Sequence, residues 1–174
     1  MTRFATRIVG VAWPKPARDA IALARELDGS DDGIVLAHAY VFDPEAPPRL
    51  AGYGDALRAD AEERLAEARD EAALSGAEIV AVPNPNPARA LHQLAEERDA
   101  GAIVVGACHR GRVGRAILGS VSRGVLHDAP CPVAVAPLGH TGRREPVRTI
   151  GVAFDGRPEA DAALALAAEI ADDL

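Results

Sequence analysis

One stretch, residues 102–137, most constrains the fold of this chain, because it contains two strand patterns joined by a loop and a helix. The apolar residues 102–105 end at Gly106, and glycines and arginines fill the segment that follows. Residues 116–126 are typical of a helix, and a second apolar run occupies 133–136. A strand, a crossover helix and a further strand predict a parallel sheet. We therefore expect the glycine- and arginine-rich loop after Gly106 to lie at the end of such a sheet and to be suited to binding an anion.

The rest of the chain repeats this alternation of short apolar runs and helical patterns. Buried strands are predicted at 7–12, 34–39 and 78–82. Helices are predicted at 17–28, at 55–75 and from Pro87 to about Arg98. Gly29 and Gly76 are the predicted stops of the first two helices. Asn86 before Pro87 provides an N-cap and a first-turn proline for the third helix. The order β-α-β-α-β-α-β-α-β predicts a Rossmann-like α/β fold with an open five-stranded parallel sheet. If the first and fourth strands are neighbours, the loops after Ala12 and Gly106 face one crevice, where such sheets bind ligands.

A partial repeat follows the first unit. Residues 148–154 match residues 7–13 when Gly151 is aligned with Gly10, and an alanine-rich helix follows Pro158. The sequence thus predicts an α/β domain over 1–138, a polar linker over 139–147, and an extra β-α unit over 148–174. One strand and one helix cannot bury their own apolar faces. We expect that unit to pack on the first domain, on another chain or on a continuation.

Composition and charge narrow the classes of function. The 174 residues are 48% hydrophobic, which suits a globular domain with a real core, and only 3% aromatic. A formal net charge of −7 argues against nonspecific nucleic-acid binding. No apolar run approaches the length of a membrane span, and the N-terminus lacks a signal-peptide pattern. We therefore expect a cytoplasmic protein that binds neither nucleic acid nor membrane.

The loop after Gly106 has the chemistry of an anion site. Residues 100–127 contain no acidic side chain, yet they include four arginines, at positions 110, 112, 115 and 123. Glycines allow several backbone N–H groups to point inward, and Ser120 and Ser122 add hydroxyls near the next helix. Phosphate suits a glycine loop that leads into a helix. The alternative is that the arginines form a solvated face and the glycines only make a turn. The motif alone does not decide between the two.

The sequence resembles the universal stress proteins over nearly all of the first unit. The resemblance is sharpest at 104–106, 118–122, 125–127 and 129–133. ATP-binding members carry Gly-x2-Gly-x9-Gly-Ser/Thr, and Gly106 and Gly119-Ser120 have the same overall spacing, with His109 at the second glycine position. The resemblance implies a Rossmann-like domain that often dimerises through its last strand. The nucleotide-binding residues that it implies are Val11, Ala12, Pro14, Ala39, Gly106, His109, Arg110, Gly111, Gly119, Ser120, Val121 and Ser122.

His109 is one departure from the family's pattern, and the end of the first strand is a second. The family usually has Val-Asp-Gly-Ser there, with an aspartate near the nucleotide. Asp155-Gly156 keeps that pattern in the partial repeat, whereas Pro14 and Lys15 occupy it in the first unit. The resemblance therefore implies a tandem-type member whose second domain is cut short. A homodimer through the last strand or through the extra β-α unit is expected.

Three functions are compatible with these residues. The first is a stress-response module that binds ATP, with Mg²⁺, and hydrolyses it slowly at most. The alternative, motivated by His109, Pro14 and Lys15, is an interaction or dimerisation module with a degenerate phosphate loop and no bound nucleotide. The third is an adenylating enzyme that uses Lys15, the only lysine. No nucleophile–base–acid set and no metal-ligand spacing is present, so no catalytic and no metal-binding residue is predicted.

Overall fold

The computed structural model describes residues 4–12, 16–43, 47, 51–107, 119–142 and 147–173. The chain divides into two compact units, residues 1–141 and 142–174.

Strands and helices alternate throughout the first unit, as the sequence predicts. Its strands are β1 (Arg7–Gly10), β2 (Ile34–Tyr40), β3 (Glu78–Pro83), β4 (Ala102–Gly106) and β5 (Val133–Ala136). Its helices are α1 (Pro16–Glu26), α2 (Ala51–Glu71), α3 (Pro87–Glu97) and α4 (Ser120–Val125). A 3-10 turn, His140–Gly142, follows β5.

The five strands form one sheet in the order β3-β2-β1-β4-β5, and every neighbouring pair is parallel. The predicted α/β class with a five-stranded parallel sheet is therefore confirmed. β1 lies at the centre, where Gly10 is in register with Ala37 of β2 and with Val105 of β4. The strand order reverses between β1 and β4, so a crevice is expected beyond the carboxyl ends of these two strands.

Two apolar layers cover the sheet, one on each face. On the first face, α1 and α2 bury Ala20, Ile21 and Leu65 against Val9 and Leu36. On the second face, α3 and α4 pack on the alternate strand residues; these are Ala88, Leu91, Leu94, Ala95 and Val125 against Ile8, Val35, Ala37, Ile103 and Val105. Small side chains dominate both layers, which agrees with the low aromatic content. The sheet is buried on both faces, as parallel sheets usually are.

The second helix differs from its predicted bounds of 55–75. α2 begins at Ala51, before two glycines that weaken a helix, and ends at Glu71. A side chain at Gly54 would clash with the ring of Phe42, since a Cβ there would lie 2.6 Å from Phe42 Cζ. Gly54 therefore allows the first turn of α2 to pack closely against the Phe42 ring. Gly76 does not end α2; the chain turns earlier, through Ala73 at φ 53°.

The third helix begins where the sequence predicts. The Asn86 side chain accepts hydrogen bonds from the backbone N–H groups of Ala88, at 3.1 Å, and Arg89, at 3.2 Å. Pro87 is the first helical residue, where its missing N–H costs nothing. Of the predicted helix 116–126, the structure describes only residues from Ser120 onward as α4.

The second unit corrects the predicted strand at 148–154. Residues 147–155 have no regular secondary structure, and α5 (Pro158–Asp173) is the only regular element described there. A strand requires a neighbour that pairs with its N–H and C=O groups. The described residues of this unit contain no second strand, so the apolar run stays irregular. Gly156, at φ +79°, and Asp155, which accepts from the Arg157 N–H at 3.1 Å, form the turn before α5.

Candidate functional site

A cavity of about 190 Å³ opens at the carboxyl ends of β1, β2 and β4, beside the start of α4. It lies at the point where the strand order reverses. Its described lining is Gly10, Val11, Ala12, Ala37, His38, Ala39, Pro87, Leu91, Val105, Gly106, Gly119, Ser120, Val121 and Ser122.

Most of the predicted nucleotide-binding residues line this cavity. They are Val11, Ala12, Ala39, Gly106, Gly119, Ser120, Val121 and Ser122. Pro14, His109, Arg110 and Gly111 lie outside the described residues. The structure thus brings residues from four separate segments to one place. Their role in nucleotide binding stays a prediction.

One wall of the cavity depends on a close approach between α3 and the sheet. A Cβ on Gly10 would lie 3.0 Å from Leu91 Cδ1 and 3.1 Å from Val105 Cγ1. Only a residue without a side chain leaves these two apolar groups their present positions. Gly10, Leu91 and Val105 therefore give the cavity a flat, apolar wall.

Ser122 has a role that its position in the motif did not reveal. Its hydroxyl, which is buried, donates a hydrogen bond of 3.0 Å to the backbone carbonyl of Gly106. That bond ties the first turn of α4 to the end of β4. Ser120 is exposed at the cavity rim. Of the two serines, Ser120 is the one whose hydroxyl is open to solvent at the mouth of the cavity.

His38 is a cavity residue that was not among the predicted site residues. The sequence favours a satisfied core histidine at this position, and its Nδ1 indeed lies 2.8 Å from the backbone oxygen of Val11. Because a carbonyl only accepts, Nδ1 must carry the proton. The imidazole thus links the ends of β1 and β2. Finding this link requires the strand register, which the sequence does not contain.

The backbone N–H and C=O of Ala39 face the side of β2 on which β1 ends. Val11 N–H donates to Ala37 O at 2.8 Å, so Ala37 directs its polar groups toward β1. Alternation along β2 gives Ala39 the same direction. Within the described part of the chain, no backbone group pairs with Ala39 on that side. The N–H and the C=O of Ala39 therefore both point toward the side of β2 on which the cavity lies.

The described lining is nearly free of charge, and His38 is its only titratable side chain. Apolar walls with a few convergent hydrogen-bonding groups are typical of small-molecule sites. Such a lining suits an uncharged, planar group. Phosphate charge would have to be met by backbone N–H groups or by residues beyond this lining.

A wider groove of about 530 Å³ adjoins the cavity along α3 and α4. Pro87, Ser120 and Val121 line both spaces. The two helices approach closely there, since a Cβ on Gly124 would lie 2.9 Å from Ala88 Cβ. His92 strengthens the contact by hydrogen bonding through Nε2 to the Val125 oxygen at 2.9 Å. A ligand that fills the cavity thus has room to extend past Ser120.

In the described part of the chain, no three His, Cys, Asp or Glu side chains come together as a metal centre. Among the helices described, none is long and apolar enough to cross a membrane.

Comparison with known proteins identifies the family. The model of the universal stress protein family matches residues 6–137. A solved universal stress protein in complex with cAMP is 25% identical, with 78% of this chain and 98% of that chain covered and a TM-score of 0.50. UspA from Lactobacillus plantarum is 20% identical over 76% and 97% of the two chains, with a TM-score of 0.53. A universal stress protein from Archaeoglobus fulgidus DSM 4304 is 19% identical over 97% and 64% of the two chains, with a TM-score of 0.61.

The family match spans the whole sheet and the cavity at its carboxyl edge, from β1 to the end of β5. The resemblance that the motifs at 104–106 and 118–122 indicate is therefore confirmed. This chain belongs to the universal stress protein family.

Proposed function

We propose that this protein is a nucleotide-binding module that takes ATP. The base would enter the cavity at the ends of β1, β2 and β4, and the phosphates would follow the segment from Gly106 to Ser122. The observation that carries the proposal is the cavity itself, because residues implied by the family resemblance converge on it from four segments. A relative at 25% identity was solved with cAMP, an adenine nucleotide, which supports the same ligand class.

The Ala39 peptide favours adenine as the base. Its N–H and C=O point into the gap beside β1, so one residue offers a donor and an acceptor. The edge of adenine that carries N1 and the N6 amino group is complementary to this pair. Guanine has an N1–H and an O6 in those places, so its polarity there is reversed. The apolar wall formed by Gly10, Leu91 and Val105 suits the face of either purine. We therefore expect ATP to bind more tightly than GTP.

Binding without rapid turnover is the expected activity. The described lining contains no carboxylate and one histidine whose Nδ1 is already engaged. Mg²⁺ would accompany ATP through its phosphates and water, since this lining offers no acidic ligand. The alternative function is a partner-binding module whose phosphate loop holds no nucleotide.

Calorimetric titration with ATP and Mg²⁺ tests the proposal, with GTP and cAMP as comparison ligands. Gly119 has φ −64° and ψ 168°, a conformation that any residue adopts, so Gly119→Val should fold. Because Gly119 lines the cavity, we expect the larger valine to weaken ATP binding at least about tenfold, or by about 1.4 kcal/mol.

Gly76→Val is the matched control, since a Cβ at Gly76 meets no atom within 4 Å. It should bind ATP as the unmodified protein does. The absence of heat and of any thermal shift at millimolar ATP would overturn the proposal in favour of the interaction module. Unchanged ATP binding by Gly119→Val would show that the nucleotide binds elsewhere.

A further inference from the structure

Both hydrogen-bond ladders of β1 stop at the cavity, although the strands on either side continue. On the β2 side, the last rung runs from Val11 N–H to Ala37 O, at 2.8 Å. On the β4 side, Gly10 is the last residue in register. The parallel register places the next rungs from Ala39 N–H to Val11 O and from Ala12 N–H to Gly106 O. Neither of these two bonds is present.

A side chain caps each of the two carbonyls that these rungs would have used. His38 Nδ1–H donates to Val11 O at 2.8 Å, and Ser122 Oγ–H donates to Gly106 O at 3.0 Å. The two caps come from different elements, β2 and α4. His38 caps a carbonyl between β1 and β2, and Ser122 caps a carbonyl between β1 and β4, at the point where both ladders of β1 end.

The caps remove the main reason for the ladders to close. A partly buried carbonyl without a hydrogen bond is costly, so an uncapped Val11 O would favour pairing with Ala39 N–H. Pairing would draw β1 and β2 together across the cavity. It would also consume the Ala39 N–H that faces the gap. With His38 in place, β1 can leave the sheet while the Val11 carbonyl keeps a donor.

We infer that His38 and Ser122 are positioning residues that keep the cleft open, by capping the strand-end carbonyls that would otherwise accept the next rungs of the sheet. The inference rests on the proposed function only for its consequence, that an open cleft is needed for the nucleotide. The caps themselves are properties of the free protein. His38 acts on the ligand through the Ala39 peptide, and Ser122 acts through the end of β4.

Amide hydrogen exchange in the free protein tests the device without any ligand. Ala39 N–H should exchange readily in the unmodified protein. In His38→Leu the rung should close, and exchange at Ala39 should slow by about tenfold, the effect of one well-formed hydrogen bond. His38→Asn keeps a donor near the position of Nδ1 and should restore rapid exchange. Unchanged exchange at Ala39 in His38→Leu would overturn the inference.

Measurements of ATP affinity and of stability distinguish a positioning role of His38 from a general structural role. His38→Leu should weaken ATP binding by about tenfold while the urea midpoint of unfolding does not fall, because a ladder bond replaces the lost cap. A parallel loss of stability and affinity, not rescued by His38→Asn, would contradict positioning.

Ser122 provides an independent test of the same device. Ser122→Ala should slow exchange at Ala12 N–H, and Ser122→Thr, which keeps the hydroxyl, should not. If the unmodified protein binds no ATP, the proposed function fails, yet the exchange results at Ala39 and Ala12 still decide whether the caps hold the cleft open.

Discussion

Arg7 is a fully buried cation at the start of β1. It lies at the amino-terminal ends of the strands, whereas the cavity lies at their carboxyl ends. One guanidinium nitrogen, Nη1, lies 2.7 Å from Asp28 Oδ2 and donates to Phe4 O, also at 2.7 Å. The other, Nη2, donates to the carbonyls of Ser30, at 3.0 Å, and Asp32. The side chain thus holds the loop between α1 and β2 against the first strand.

Replacement of Arg7 should be strongly destabilising. Arg7→Met leaves a buried carboxylate and several carbonyls without their shared donor, and we expect a loss of about 3–5 kcal/mol in the free energy of unfolding. Arg18→Met is the control, since Arg18 pairs with Glu71 at 2.9 Å but both side chains are exposed. That change should cost less than about 1 kcal/mol. Equal effects of the two substitutions on urea unfolding would contradict this account of Arg7.

At the scale of elements, Asp19 joins α1 to the segment that follows β5. Its carboxylate accepts three hydrogen bonds, from Gly139 N–H at 2.8 Å, Thr141 N–H at 2.9 Å and Thr141 Oγ1 at 2.7 Å. His140 is buried between them, with Nε2 3.2 Å from Glu26 Oε2. One helix therefore fixes the path of the chain as it leaves the sheet.

Burial raises the pKa of Asp19, but the hydrogen bonds from Thr141 and Gly139 and the charge of His140 outweigh burial and hold the pKa below its ordinary 3.8. A carboxyl group with a lowered folded pKa stabilises the protein fully above its unfolded pKa. That contribution is lost as the pH falls through the folded pKa. The segment after β5 should therefore be held firmly at neutral pH and released in acid.

Asp19→Asn should lower the free energy of unfolding by about 1–3 kcal/mol at pH 7, because a neutral amide replaces the charged acceptor. The difference from the unmodified protein should shrink as the pH falls below the ordinary pKa of 3.8 and through the lower folded pKa of Asp19. Urea unfolding at pH 7, 5 and 3 measures it. Asp60→Asn, which breaks an exposed pair with Arg64, should change stability by less than about 0.5 kcal/mol. A difference for Asp19→Asn that persists undiminished at pH 3 would rule out this linkage.

For the whole molecule, β5 raises the question of assembly, because it is an edge strand of the sheet. Ala107 N–H donates to Ala136 O at 2.8 Å, so the alternate residues of β5, including Val135, direct their N–H groups away from β4. An exposed row of such groups is a template for pairing with a second strand. We therefore propose a homodimer formed through β5.

Val135→Pro tests the dimer, because it removes an outward N–H without removing a bond to β4. Sedimentation equilibrium should show a dimer for the unmodified protein and a shift toward monomer for Val135→Pro. Val135→Thr keeps both the N–H and the β-branched shape and should remain dimeric. A monomer in the unmodified protein would refute the proposal.

The repeat beginning near residue 148 is also a matter of the whole molecule. The α5 helix appears where the repeat predicts one, whereas the strand before it does not form. Helical hydrogen bonds are made within one segment, so helix formation follows local sequence. A strand depends on a partner, and the described residues of the second unit supply none. We propose that 148–174 repeats the start of the first unit, because Gly151 aligns with Gly10 and a helix follows both runs.

Those parts of this protein that depend on local chemistry could be predicted from neighbouring residues alone. The alternation of strands and helices, the Asn86–Pro87 start of α3 and the motif around Gly119 are all written in neighbouring residues. Tertiary structure decided the rest. The start of α2 depends on Gly54 packing against Phe42, and the buried charge of Arg7 depends on a loop more than twenty residues away. The caps made by His38 and Ser122 depend on a register that leaves Val11 and Gly106 without a next rung. Register and burial arise only when distant segments meet, and for that reason the cleft could be located from the sequence while the means of holding it open could not.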